Sequence, residues 1–322
     1  MPRLIARRTL AGAALAALAA PALGQTYPTR SMRLVVPFAA GTTTDILARA
    51  LGNHLSQALG QSVVVDNRSG AGGNIAVAAV ARERPDGYTM VLGTSGTHGV
   101  NASLYTDPGF DPVKDFSPVV AFATAPVTLV VRPELGARDF AALRALAGRR
   151  TLSFASAGNG TTGHLCQALL DLRAGITTTH VPYRSGAQAV TDLLAGTVDA
   201  MFHHYAAIGQ HVQDGKLIVL GVTAPQRVAT LPEVPTMLEL GLADFVVEEW
   251  WAIYLPVGAP REAVERLNAV TNAFLRQEEA LTMLRNNGAT PLGGTPEELA
   301  ARTAAEVAKW REVIRDAKIE PG

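Results

Sequence analysis

Two short loops carry the residues whose types and spacing could do chemistry. Ala39-Ala40-Gly41-Thr42-Thr43-Thr44 and Ala157-Gly158-Asn159-Gly160-Thr161-Thr162 each place glycine and threonine just ahead of a helical pattern. Unpaired backbone N–H groups at a helix start point outward, and the helix dipole favours an anion there. Threonine hydroxyls add donors. Two such loops facing each other could hold one anionic ligand from both sides, although each taken singly reads as well as an N-cap. Neither is a nucleotide fingerprint. The P-loop pattern needs Lys after its final glycine, which Gly41 and Gly160 lack, and Gly70-x-Gly72-Gly73 misses the dinucleotide pattern.

Thr94-Ser95-Gly96-Thr97-His98 groups further short polar side chains after an apolar run and suits a third wall of the same site. His98 and His164, with Ser95 or Ser156 as nucleophile, open a hydrolase alternative. The G-x-S-x-G elbow is absent at both serines, and no Asp stands near either His in sequence. His203-His204 suggests a metal, but adjacent residues on a strand point to opposite faces. No H-E-x-x-H motif or cysteine cluster is present, so no metal and no cofactor are expected. The lone Cys166 lies in a helical pattern and reads as a small semi-buried residue. Of Trp250-Trp251, one ring is expected in the core and the other at a surface.

The elements that must position these residues alternate short β-rich runs with helical ones, the signature of α/β architecture. Strands are expected at 33–38, 62–66, 88–93, 151–156, 178–183, 198–202, 217–222 and 250–255. Helices are expected from about Asp45, from a cap at Asn74, after Thr162, over 187–194, from Arg261 to Arg276 with a continuation to Asn286, and behind Thr295-Pro296-Glu297-Glu298. Ser69–Gly73 reads as a flexible turn. The stretch from Ser117 to Arg132 is longer than an ordinary strand and suits a crossing between two lobes. Ligands of open α/β sheets sit outside the carboxyl ends of the strands, so the loops after Phe38, Leu92, Ser156, Tyr183 and Phe202 matter most.

Composition narrows the function. Hydrophobic residues make up 48% of the 322, enough for a substantial core, and 28 basic residues balance 28 acidic ones. Balance argues against nucleic acid, which needs a basic surplus. The N-terminus reads as an export signal: Arg3, Arg7 and Arg8, an apolar run from Thr9 to Leu23, then Ala22-Leu23-Gly24 as a cleavage site. That run is too short to span a bilayer. Arg7-Arg8 also resembles a twin-arginine signal, so Sec and Tat export both stay open. Removing residues 1–24 takes the 28 basic residues to 25, a slightly acidic balance against 28.

Blocks along the chain resemble one family, the periplasmic solute-binding receptors of tripartite tricarboxylate transporters (TctC), also called the Bug family. They are Val36-Pro37-Phe38-Ala39-Ala40-Gly41 with Asp45 and Ala48-Arg49, Asp66-Asn67-Arg68 with Gly70-Ala71-Gly72-Gly73, and Pro85-Asp86-Gly87-Tyr88-Thr89. Next come Ser156-Ala157-Gly158-Asn159-Gly160-Thr161 with His164-Leu165, and His180-Val181-Pro182-Tyr183-Arg184. Asp192-Leu193-Leu194-Ala195-Gly196 with Val198-Asp199, and Leu231-Pro232-Glu233-Val234-Pro235-Thr236 with Glu239 and Gly241, complete the series.

The resemblance implies a type II periplasmic-binding-protein fold: two α/β lobes, a two-strand hinge and an interlobe cleft. The division expected is a signal peptide at 1–24, a first lobe of 25–123 plus 246–322, and a second lobe of 124–245. It implies a monomer that captures a small carboxylate, without turnover, for membrane permease subunits. Carried onto this chain, the first-lobe contacts are Phe38, Gly41, Thr42, Thr94, Ser95 and His98. Those of the second lobe are Ser156, Gly158, Thr161, Tyr183 and His203. The chain departs from the family at Thr42, where a second glycine is usual, at Ser69 for Pro, and at Ala168 for Glu. His203 in the cleft would, if protonated, favour a dianion and make affinity fall with rising pH. A sensor handing its signal to a membrane kinase would use the same fold.

Overall fold

The computed structural model describes residues 27–316 and Ile319; the export segment read at 1–24 lies outside the described residues. The chain begins with β1 (Met32–Val36), α1 (Thr43–Leu59), β2 (Val63–Asn67), α2 (Asn74–Ala81) and β3 (Thr89–Thr94). A wide helical turn at Gly96–Val100 runs into the single-turn α3 (Asn101–Leu104), then β4 (Phe116–Pro126). After it come β5 (Thr128–Val131), α4 (Phe140–Ala147), β6 (Leu152–Ser156), α5 (Thr162–Ala174), β7 (Thr178–Pro182) and α6 (Gly186–Ala195). They continue into β8 (Ala200–His203), α7 (Tyr205–Gln213) and β9 (Ile218–Val222). The last elements are β10 (Glu248–Pro256), α8 (Arg261–Phe274), α9 (Glu278–Asn286), β11 (Thr290–Gly293) and α10 (Pro296–Asp316).

These strands form two sheets, ordered β11-β4-β10-β3-β1-β2 and β7-β6-β8-β5-β9. In the first, β1 runs parallel to β2 and β3, and β10 antiparallel to β3 and β4. In the second, β6 runs parallel to β7 and β8, and β5 antiparallel to β8 and β9. The parallel βα units are what put loops and helix starts at one edge of each sheet.

Each sheet is covered on both faces, and the two-residue period of a strand sorts its side chains between them. Leu34, Leu92, Trp251 and Ile253 pack with Leu47 and Leu51 of α1 and Leu267 of α8. Their neighbours Val35, Val91, Trp250 and Ala252 pack with Ala76, Val77 and Val80 of α2. In the second sheet, Leu129, Phe154 and Phe202 meet Leu165 and Leu169 of α5, while Val130, Ala155 and Met201 meet Val190, Leu193 and Ile208. Trp250 and Trp251 are therefore both interior, each 1% exposed, on opposite faces of one sheet. The expected surface ring does not exist, because helices cover both sides of β10.

The extended stretch at Ser117–Arg132 is two strands in two sheets, with Val127 between them. The chain returns between β9 and β10. Thr223 ties the two passages together: its hydroxyl accepts from Val127 N at 3.0 Å and donates to the Val247 carbonyl, while Val247 N donates to Thr223 O at 3.1 Å. α10 adds a further link. Its Leu299 packs under the first sheet, and its Trp310, Val313 and Ile314 pack with Val100, Leu104 and the core of the second.

Asn74 does not cap α2 with its side chain. It is the first helical residue, and its Oδ1 accepts from Asn101 Nδ2 at 2.6 Å. Elements with weak patterns, α3, α4, α7 and β11, were not anticipated from the sequence.

Candidate functional site

The carboxyl ends of β1 and β3 face those of β6 and β8 across a cavity of 230 Å³. Phe38, Thr42, Thr43, Thr44, Gly72, Thr94, Gly96 and Asn101 form the wall from the first sheet. Ala157, Asn159, Gly160, Thr161, Thr162, Gly163, Phe202, His203 and His204 form the wall from the second. The floor is the crossing itself: Val127, Glu249 and Trp251. A larger groove of 710 Å³ runs along α5 past His164, Asp171, Thr178 and His180. Its polar groups are already spent on one another, with Asp171 holding Thr178 N and both Asp171 and Thr178 accepting from Gln167. The smaller cavity is the one bounded by two helix starts, which makes it the candidate ligand site.

The two Gly/Thr loops do meet across this cavity, but they use their polar groups differently. Thr42 is an N-cap: its hydroxyl accepts from Asp45 N at 3.4 Å and donates to Ala39 O at 2.9 Å. Gly41, at φ +84°, sends its N–H to Asp45 Oδ2 at 2.8 Å instead of to a ligand. Burial works against ionising Asp45, yet the bonds from Arg49 and Gly41 hold its carboxyl below the usual range. At the second loop, Thr161 caps α5 without a side-chain bond to the helix; its hydroxyl donates to Gly158 O at 2.7 Å. The start of α5 presses close to β8. A Cβ on Gly163 would lie 2.7 Å from the Phe202 carbonyl oxygen, so only glycine fits there.

Of the residues expected to touch ligand, Phe38, Thr42, Thr94, Thr161 and His203 line the cavity. Gly41, Ser95, His98, Ser156, Gly158 and Tyr183 do not, each for a visible reason. His98 is fully buried and stacked on Tyr254 with ring centroids 4.0 Å apart; burial drives its pKa down to about 3. Ser156 bonds His180 Nε2 at 2.7 Å and takes Gly158 N at 3.1 Å, so both act as scaffold for the loop. Tyr183 donates to Asp192 at 2.8 Å. Ser95 lies buried behind the wall against Glu249. His164 accepts from Gly160 N at 3.1 Å and stacks on His180 at 3.9 Å, which occupies it structurally. Cys166 is buried, and desolvation pushes its thiol far above the usual range, so it is no nucleophile.

The charge in the cavity is the opposite of what a carboxylate site suggests. Among the described residues, its walls contain no Lys or Arg. Burial lowers His203 and His204 to about 4, with His204 adding to the shift at His203 and a backbone bond to Pro126 opposing it at His204, so both are neutral at physiological pH. His203 accepts from His204 N at 2.7 Å, which fixes its ring at the end of β8. Glu249 is the one formal charge. Its carboxyl takes hydrogen bonds from the Thr162 hydroxyl and from Ser95, and burial raises it to about 6. Trp251 donates its indole N–H to Thr44 Oγ1 at 2.9 Å, tying the floor to the start of α1. Sequence reasoning did not nominate Glu249, Trp251 or Asn101 as cavity residues, and reached Thr162 only as part of its loop. A glutamate ahead of a tryptophan pair carries no pattern that marks it as cleft floor.

Comparison with known proteins places this geometry. Protein BugT of Bordetella pertussis is 36% identical over 306 residues, covering 94% of this chain and 94% of its own. The structure of R. palustris Rpa4515 with adipate superposes with a TM-score of 0.84 at 38% identity, covering 92% of this chain and all of that one. MatC (Rpa3494) from Rhodopseudomonas palustris with bound malate does so with a TM-score of 0.81 at 32% identity, covering 89% of this chain and all of the other. The two-sheet fold with a cleft at the strand ends is thus that of the TctC and Bug periplasmic binding proteins. The model for the tripartite tricarboxylate transporter family receptor, TctC, matches residues 47–319, and this chain belongs to that family of solute-binding receptors.

Proposed function

We propose that this receptor closes its cleft on a small carboxylic acid and delivers it to the permease subunits of a tripartite tricarboxylate transporter. The observation that carries the reading is the cavity between two helix starts, α1 and α5, where first-turn N–H groups and the helix dipoles favour an anion. Adipate and malate in the related structures support the ligand class. In this reading residues 1–24 are removed on export and the mature chain acts as a periplasmic monomer. The lobe boundaries expected at 123/124 and 245/246 shift in this reading to 126/127 and 247/248, with closure about Val127 and Val247. Among the described residues no helix is long and apolar enough to cross a membrane.

Trp251 on the cavity floor reports the event directly. Titrating the mature protein with adipate, malate and their amides should change tryptophan emission saturably for at least one of them, and Trp251→Phe should remove most of the change. Flat titrations across all of these acids would defeat the proposal.

A further inference from the structure

The floor of the cleft asks for something a simple dicarboxylate cannot give. Glu249 stands one residue into β10, paired with Ala125 of β4, where the chain has just crossed between the sheets. Its carboxyl accepts from the Thr162 hydroxyl at the start of α5, and Ser95 after β3 lies on its other side and favours its ionised form. Among the described residues lining the cavity, no Lys or Arg faces it. Glu306 on α10 adds negative charge, and His203 and His204 share the cavity as neutral rings.

His204 gives an independent sign of the same demand. Its ring bonds the Pro126 carbonyl, which requires one nitrogen to carry the proton. Its Nδ1 is then an acceptor, and it is buried without a partner. The cleft thus offers donors at its two helix starts and acceptors at its floor and second wall. A buried acceptor without a donor is costly, and a buried carboxylate beside a second carboxylate is more so.

Resting on the reading of the cleft as a carboxylate site, we infer that Glu249 is a specificity-determining residue. It accepts a hydrogen bond from an N–H or O–H donor of the ligand, so the cleft selects monocarboxylates that carry an amide, ammonium or hydroxyl group and discriminates against dianions.

The test compares ligands matched in length: succinate with succinamate, and adipate with adipamate and 6-aminohexanoate. Affinities are measured by calorimetry at pH 8 for the wild type and Glu249→Gln. At least one donor-bearing acid should bind the wild type ten-fold or more tightly than its dicarboxylate. Glu249→Gln should shrink that ratio at least ten-fold by weakening the donor-bearing acid and strengthening the dicarboxylate. A pH series separates this from the dicarboxylates' own second ionisation only when run on both proteins: from pH 5 to 8 the ratio should grow more in the wild type, where Glu249 loses its proton, than in Glu249→Gln. Dicarboxylates binding as well as their amides, with a ratio that the substitution does not move at any pH, would overturn the inference and leave the carboxylate reading intact. No binding by any of the five acids would overturn both.

Discussion

At pH 7 Glu249 destabilises the fold that holds it. Burial raises its pKa from an ordinary 4.5 to about 6 in the folded chain. Between those values the folded state binds more protons than the unfolded one, so the contribution of this group is full below pH 4.5 and is lost as pH rises through 6. The shift corresponds to on the order of 2 kcal/mol. Glu249→Gln keeps the shape and an acceptor for Thr162 without the charge. It should match the wild type near pH 4 and exceed it in urea-unfolding stability by about 1–2 kcal/mol at pH 7. An equal or lower stability at pH 7 would show that the carboxylate is well solvated in the cleft. The same reasoning moves the expected pH sensor from His203 to Glu249. A histidine at a strand end was legible in the sequence, but the burial that keeps its ring neutral was not. Glu249 escaped notice because its environment is made by residues from three distant segments.

At the level of elements, the sequence showed more. Alternation of apolar runs located ten of the eleven strands within a few residues, counting β4 and β5 as the two halves of one extended run, and placed both Gly/Thr loops ahead of helices. The weak points have physical causes. A long extended run reads alike whether it stays in one sheet or changes sheets, so the break at Val127 was not visible. β11 is four residues long, contains Pro291 and sits at a sheet edge, where the β pattern fades. The sheet change itself depends on Thr223, which is wholly buried and serves both passages. Thr223→Val keeps the volume but leaves the Val127 N–H buried without an acceptor, at a cost of about 1–3 kcal/mol. Chemical denaturation should show that loss. A change under about 0.5 kcal/mol would mean the crossing is held by packing alone.

Over the whole molecule, histidine burial dominates the response to acid. His98 is lowered to about 3, and His180, His203 and His204 to about 4, in each case mainly by desolvation. Their folded values lie below an ordinary 6.5. The unfolded chain therefore takes up more protons between pH 6.5 and 4, and stability is full above 6.5 and falls as pH drops. Each such group steepens the loss by up to about 1.4 kcal/mol per pH unit. Glu249 opposes the trend between 4.5 and 6, and Asp171 and Glu248, which burial also raises, act in the same direction, but His54 and His164 are lowered too, so three carboxyls stand against six histidines. Unfolding midpoints should fall steeply below pH 6; a midpoint unchanged from pH 7 to 5 would contradict the buried, neutral state of these rings.

The two lobes, the cleft and the helix starts at its walls all serve one claim, that the receptor takes a small carboxylate. Calorimetric titration of the mature protein at pH 7.5 tests it most directly, with mono-, di- and tricarboxylates and their amides set against neutral and cationic solutes. The account predicts one-to-one binding of at least one carboxylate, and at 100 times Kd a thermal stabilisation equivalent to about 2.7 kcal/mol. Binding of a neutral or cationic solute with no carboxylate bound would contradict it.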